Sequence, residues 1–148
     1  MGRDAEWAAL HAAWDARHIA VVRGEAGLGK TRLVTDFAKA QGAALVVGAR
    51  PGDRQVVYAS VSRLIRQWPR SRLDALDTGV REALATLLPE LGPTPAHLGE
   101  AGRTRLFNAV LALVDGSDAD GHGGLVFDDL HFADDASVEL LQYVALQS

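Results

Sequence analysis

The residues Gly24-Glu25-Ala26-Gly27-Leu28-Gly29-Lys30-Thr31 fit G-x-x-x-x-G-K-[ST], with the apolar run Ile19-Ala20-Val21-Val22 directly before them and a helical pattern directly after. That is the strand, loop and helix context in which a phosphate-binding loop works. Glycines let backbone N–H groups turn inward and approach an anion with no Cβ in the way, and a helix starting near Gly29 adds the positive end of its dipole. Lys30 would reach the β- and γ-phosphates of a nucleotide. Thr31 would set its hydroxyl on Mg²⁺ bridging the same phosphates. The plain alternative is a glycine-rich turn that happens to precede a helix, since the chain has 15 glycines. Lysine argues against it: of 15 basic residues only Lys30 and Lys39 are lysines, and one of them stands where a compact ammonium is needed.

A second constellation lies far along the chain. Leu125-Val126-Phe127-Asp128-Asp129 reads as an apolar strand ending in two carboxylates. In an open α/β sheet the carboxyl ends of the strands face the ligand crevice, the edge where a phosphate loop also sits. Asp128 would meet the Mg²⁺ held by Thr31, directly or through water, and Asp129, pointing to the other side, would orient and polarise an attacking water. Alone, the pair could equally be a strand-end turn or a helix cap; it gains its meaning from the loop. His131 could sense a γ-phosphate or cap a turn, and a lone histidine more often does the latter.

The elements that must position these residues follow from pattern. Asp4 can cap a first helix with Trp7, Leu10 and Trp14 on one stripe, read as core. His18 to Arg23 is a first strand, apolar enough to be buried on both faces. Leu33, Val34, Phe37 and Ala38 mark a helix face off which Arg32, Asp36 and Lys39 sit; Gly42 stops it, and Ala43 to Gly48 reads as a second buried strand. Strand, helix, strand is a right-handed βαβ unit, so the fold class is α/β. Arg50 to Gln55 is a surface loop by composition. A helix face of Val61, Leu64, Ile65 and Trp68 closes at Pro69, and another of Val80, Leu84, Leu87 and Leu88 stops at Pro89, with a loop on to Glu100. Arg103 to Asp115 is apolar over more than half its circumference and should pack on two sides. The acidic stretch from Asp115 to Gly124 lacks the spacing and closing Glu of a calcium loop and reads as a connector. Asp134 or Asp135 can cap a last helix with Val138, Leu141, Val144 and Ala145 on its apolar face.

Composition bounds the rest. The 148 residues suit one domain, and with no cysteine a disulfide scaffold and thiolate metal sites are excluded. No apolar run suits a membrane span or a signal peptide, so a soluble, cytoplasmic protein is expected. The formal charge of −4 comes from 15 basic and 19 acidic residues mixed along the chain, which does not ask for nucleic acid.

Gly2-Arg3-Asp4-Ala5-Glu6, the phosphate loop with Arg32-Leu33, and Asp128-Asp129-Leu130-His131-Phe132-Ala133-Asp134 together resemble the N-terminal ATPase domain of large ATP-binding LuxR-type transcriptional regulators, a group related to MalT-like STAND switches within the AAA+ superfamily. Tyr58-Ala59-Ser60-Val61, Leu88-Pro89-Glu90-Leu91-Gly92 and Arg103 to Val110 are similar to the family's corresponding helices. The resemblance implies a P-loop NTPase-type parallel sheet flanked by helices, and ATP with Mg²⁺ as cofactors. It implies Gly24 to Arg32 around the nucleotide, Lys30 and Asp129 as catalytic residues, and Thr31 and Asp128 on the metal. Gly2 and Arg3 match the motif that in relatives lies near the adenine. Phe132 stands where relatives usually have Trp, and Asp135 where they usually have Pro.

Family members continue through a fourth strand with a sensor residue, a winged-helix region, a repeat region and a DNA-binding helix-turn-helix. The superfamily's strand order is 5-1-4-3-2, so residues 1–148 are expected to form a partial ATPase domain, its phosphate loop at 24–31 and its Asp-Asp strand end at 125–129. Its first strand is expected either to pair directly with the strand ending at Asp128 or to borrow pairing from another copy. The expected partners are nucleotide and the parent protein's regulatory and DNA-binding domains, with no membrane and no direct nucleic-acid contact. The expected function is an ATP-binding switch whose hydrolysis is slow or absent without the sensor. A catalytically silent nucleotide-binding module and a small phosphotransferase are the rivals.

Overall fold

The computed structural model describes residues 3–16, 20, 22, 25, 27–42, 44–93, 99–115 and 124–147. Two short strands, β1 (Ala44–Gly48) and β2 (Gly124–Asp128), pair in parallel with Ala44 opposite Gly124 and Gly48 opposite Asp128. This is the neighbour relation that the order 5-1-4-3-2 implies for a second and a third strand. The expected strand over 18–23 falls largely outside the described residues, as do Gly24 and Ala26 of the loop and residues 116–123 of the acidic connector.

Side chains alternate across a strand, so Leu45, Val47, Leu125 and Phe127 share one face of the sheet. That face meets the main core. It is built by Val61 and Leu64 of α3 (Ala59–Ile65), Leu73 of α4 (Arg70–Asp74), Leu84 of α5 (Thr78–Leu84), Val110 and Leu113 of α6 (Glu100–Asp115) and Leu140 of α7 (Asp135–Gln147). α6 packs against α5 and against α7, as its wide apolar girth predicts.

The opposite face receives α2 (Lys30–Gln41), which buries Leu33, Phe37 and Ala38 and contacts both strands. α1 (Asp4–Asp15) lies outside α2, with Trp7 and Trp14 edge-on to Phe37 at 5.4 and 5.8 Å between ring centroids. The Trp14 indole also rests on Gly124 of β2, where a Cβ would have no room. The described chain is therefore layered: α1 and α2, the sheet, then α3 to α7.

Several expectations are corrected. The Trp7, Leu10 and Trp14 stripe is half-buried and not core, because α1 sits on the outer flank of the layer. Asp4 is the first helical residue and makes no cap; Arg3 holds the N-cap position. α3 stops at Ile65, so Trp68 lies in the turn beyond it and Pro69 leads α4 instead of closing α3. Likewise the helix over Val80 to Leu88 stops at Leu84, giving way to turns before Pro89. A residue before proline is pushed to extended backbone, and Leu88 adopts φ −125° and ψ 86°. Of the two capping candidates, Asp134 caps α7, its Oδ2 accepting the Ser137 N–H at 2.9 Å.

The outer edge of β1 is closed by side chains. Gln67 Nε2 donates to the Val46 carbonyl at 2.6 Å, and Arg63 Nη2 to that of Gly48 at 3.0 Å. Side chains laid across these carbonyls hinder the approach of another strand along this edge.

Candidate functional site

The loop is shaped by its glycines. Gly27 and Gly29 adopt φ of +84° and +77°, which a side chain would strain. The Leu28 N–H donates to the Glu25 carbonyl at 3.4 Å, and the Leu33 N–H to that of Gly29 at 3.0 Å as α2 begins. Among the described residues no side chain caps α2, so its first N–H groups point into the loop with the positive end of the helix dipole behind them. Lys30 Nζ donates to the Glu25 carbonyl at 2.7 Å, which folds the ammonium back over the loop. Thr31 follows in the first turn. Arg32 instead points along the helix toward Asp36, 3.8 Å away and largely exposed.

The strands carry the acidic half. α2 joins β1 through residues 42–43 and packs on it, so helix and strand run in opposite directions. A 12-residue helix spans about 18 Å and a 5-residue strand about 16 Å, so the first turn of α2 comes level with the carboxyl ends of β1 and β2. Asp128 is the last residue of β2. By alternation it shares a face with Gly124, the face against which Trp14 and α2 lie. By these ideal lengths the start of α2 and the carboxyl end of β2, where Asp128 stands, lie toward the same end of the sheet.

Asp129 departs from the strand. It adopts left-handed backbone, φ 55° and ψ 41°, with its N–H donated to Asp128 Oδ1 at 2.9 Å, and leads a single 3-10 turn over Leu130–Phe132. Strand alternation therefore does not govern where its carboxylate points. A non-glycine residue in this region is uncommon and is tolerated where surrounding bonds fix it. Here the Phe132 N–H returns to the Asp129 carbonyl at 2.9 Å, and Asp134, 3% exposed, anchors the segment through the N–H groups of Tyr58 at 2.7 Å and Ser137 at 2.9 Å. His131 is exposed, its ring tilted at 44° to that of Phe132 with centroids 4.1 Å apart.

Arg3, which the resemblance sets near the adenine, and Asp53, which it does not, also enter the neighbourhood. The Arg3 guanidinium donates to the Leu28 carbonyl and lies over Gly29, on the phosphate loop itself. Asp53, expected on a surface loop, is 8% exposed. Its Oδ2 accepts the Arg50 N–H at 2.7 Å, the Ser60 hydroxyl at 3.1 Å and the Arg63 guanidinium. Burial works against its ionisation, but Arg63 and the two further donors outweigh it and hold the Asp53 carboxyl below the ordinary carboxylate range.

The residues fit a nucleotide with Mg²⁺. Among the described residues no group of three His, Cys, Asp or Glu could hold an ion by itself. A threonine hydroxyl and one carboxylate are the hard oxygen donors that Mg²⁺ takes together with phosphate oxygens, and the uncapped helix start suits the phosphates. The chain matches the AAA ATPase domain family over residues 1–147 and belongs to that family. No curated protein and no solved structure matched it. No helix among the described residues is long and apolar enough to cross a membrane.

Proposed function

We propose that the chain binds ATP with Mg²⁺ and serves as a switch domain whose packing around the phosphates reports nucleotide state. What supports this reading is the end of β2: Asp128 closes the strand on the face that Gly124 turns toward Trp14, the face on which α2 packs. Thr31 and Asp128 would hold Mg²⁺, which would supply positive charge to the phosphates. The N–H groups from Glu25 to Thr31 would cradle the phosphates, and Lys30 would leave the Glu25 carbonyl to meet the γ-phosphate. Asp129, held in place by the turn after β2, would orient water for in-line attack, giving slow hydrolysis. The Asp-Asp-Leu-His-x-Ala-Asp string supports a finer assignment, the ATPase domain of a LuxR-type, MalT-like transcriptional regulator, with the nucleotide signal passed to regulatory and DNA-binding parts.

A melting scan with MgATP, MgADP and MgGTP tests the binding reading. Ligand at about 100 times its dissociation constant adds roughly 2.7 kcal/mol, and Lys30→Ala is expected to lose that gain. Phosphate release then separates a hydrolysing domain from a silent binder. A measurable wild-type rate that Asp129→Asn leaves unchanged removes Asp129 from the catalytic role.

A further inference from the structure

The geometry points to Asp53 as a positioning residue for Asp128; this rests on the nucleotide-site reading above. The last cross-strand bond of the sheet runs from the Ala49 N–H to the backbone carbonyl of Asp128 itself, at 3.0 Å. Ala49 is gripped from both sides. On one, the Asp53 carboxylate holds the Arg50 N–H at 2.7 Å; on the other, Arg63, which is paired with Asp53, holds the Gly48 carbonyl at 3.0 Å. Ser60, at the start of α3, donates to the same carboxylate oxygen. The pair of the buried Asp53 carboxylate and the partly exposed Arg63 therefore brackets Ala49, whose N–H holds Asp128.

Stability alone does not call for such a pair. Well-packed apolar residues usually stabilise a buried site as much as an ion pair does, or more, so a charge kept here is better understood as setting geometry. Asp53 bonds to none of the described residues of the phosphate loop and acts through the backbone of β1. Its loss would let the strand exit relax and shift the Asp128 carboxylate relative to Thr31, weakening the metal without touching the phosphate cradle. Outer partners of metal ligands commonly act in this way, at a cost of about tenfold or more in metal affinity.

The test uses Mn²⁺ as the metal and ADP as the nucleotide, with Mn²⁺ binding to the protein–ADP complex followed by electron paramagnetic resonance. Asp53→Ala is expected to weaken Mn²⁺ about tenfold while ADP affinity in chelator stays at the wild-type value. Asp53→Asn, which keeps an oxygen for the Arg50 N–H, restores most of the loss. In an Asp128→Ala background, removing Asp53 has no further effect, because the two act on one ligand. Should Asp53→Ala fail to fold, Arg63→Ala is expected to give the same selective loss. Wild-type Mn²⁺ affinity in folded Asp53→Ala or Arg63→Ala, alongside a loss in Asp128→Ala, overturns the inference alone. ADP binding by the wild type that ignores Mn²⁺ overturns the nucleotide-site reading and the inference together.

Discussion

The two faces of the sheet are built to different standards. On the side of α3 to α7, Val61, Leu64, Ile65, Leu84, Leu88, Leu113 and Leu140 are all but sealed from solvent. On the side of α1 and α2 the buried apolar residues of the helices are Leu33, Phe37 and Ala38, and no residue of the α1 stripe is fully buried. The candidate nucleotide residues sit on this second, thinner side. The difference teaches that the deep core holds the strands while the lighter layer stays free to respond, as ligand-binding elements generally come from the less stable parts of a fold.

The contrast can be broken by mutation. Leu64→Ala, in the deep core, is expected to cost about 3–4 kcal/mol in urea unfolding, whereas Trp14→Ala, a larger deletion on the thin side, costs roughly 1–2 kcal/mol because the ring is only partly buried. Equal losses would erase the distinction between the faces. Ligand sharpens it from the other direction. MgATP at about 100 times its dissociation constant adds roughly 2.7 kcal/mol, and in hydrogen exchange the gain in local protection is expected first at the amides opening α2 and last in α6. Uniform protection of both would contradict the account.

The seam between the layers gives a smaller effect. Gly124→Ala places a methyl against the Trp14 ring and is expected to destabilise by about 1–3 kcal/mol. The same substitution in a Trp14→Ala background should be nearly neutral, and additivity of the two would show that the ring is not the obstacle. The pH effect at Asp53 is the smallest. A carboxyl whose folded pKa lies below its unfolded value contributes stability above the unfolded pKa and loses it as pH falls through the folded one. Below about pH 4 the wild type is therefore expected to lose stability more steeply than Asp53→Asn in parallel urea titrations; coincident slopes would deny Asp53 its ionised, paired state.

Much of this arrangement was legible in the chain. The spacing of Leu33, Phe37 and Ala38 and the stop at Gly42 mark α2, and the apolar run before Asp128 marks β2, because each pattern reports a local period. What escaped was set by long-range contacts. Asp53 stands among Arg50, Pro51, Gly52 and Arg54, a composition that signals solvent, and only pairing with Arg63, ten positions on, buries it. Ser60 and Arg63, three apart in α3, were the available signal, since that spacing puts them on one face. The α1 stripe was overread for a related reason: periodicity shows which face is apolar but not how much lies over it. Asp129 shows a third limit, as strand alternation holds only while the strand lasts, and the chain turns left-handed at that residue.

Calorimetric titration of ATP, with Mg²⁺ and with chelator, into wild type, Lys30→Ala and Asp128→Ala tests the nucleotide site most directly. The account predicts that Lys30→Ala loses binding under both conditions, while Asp128→Ala binds as the wild type does in chelator and loses the strengthening that Mg²⁺ brings. Indistinguishable titrations for all three proteins would contradict it.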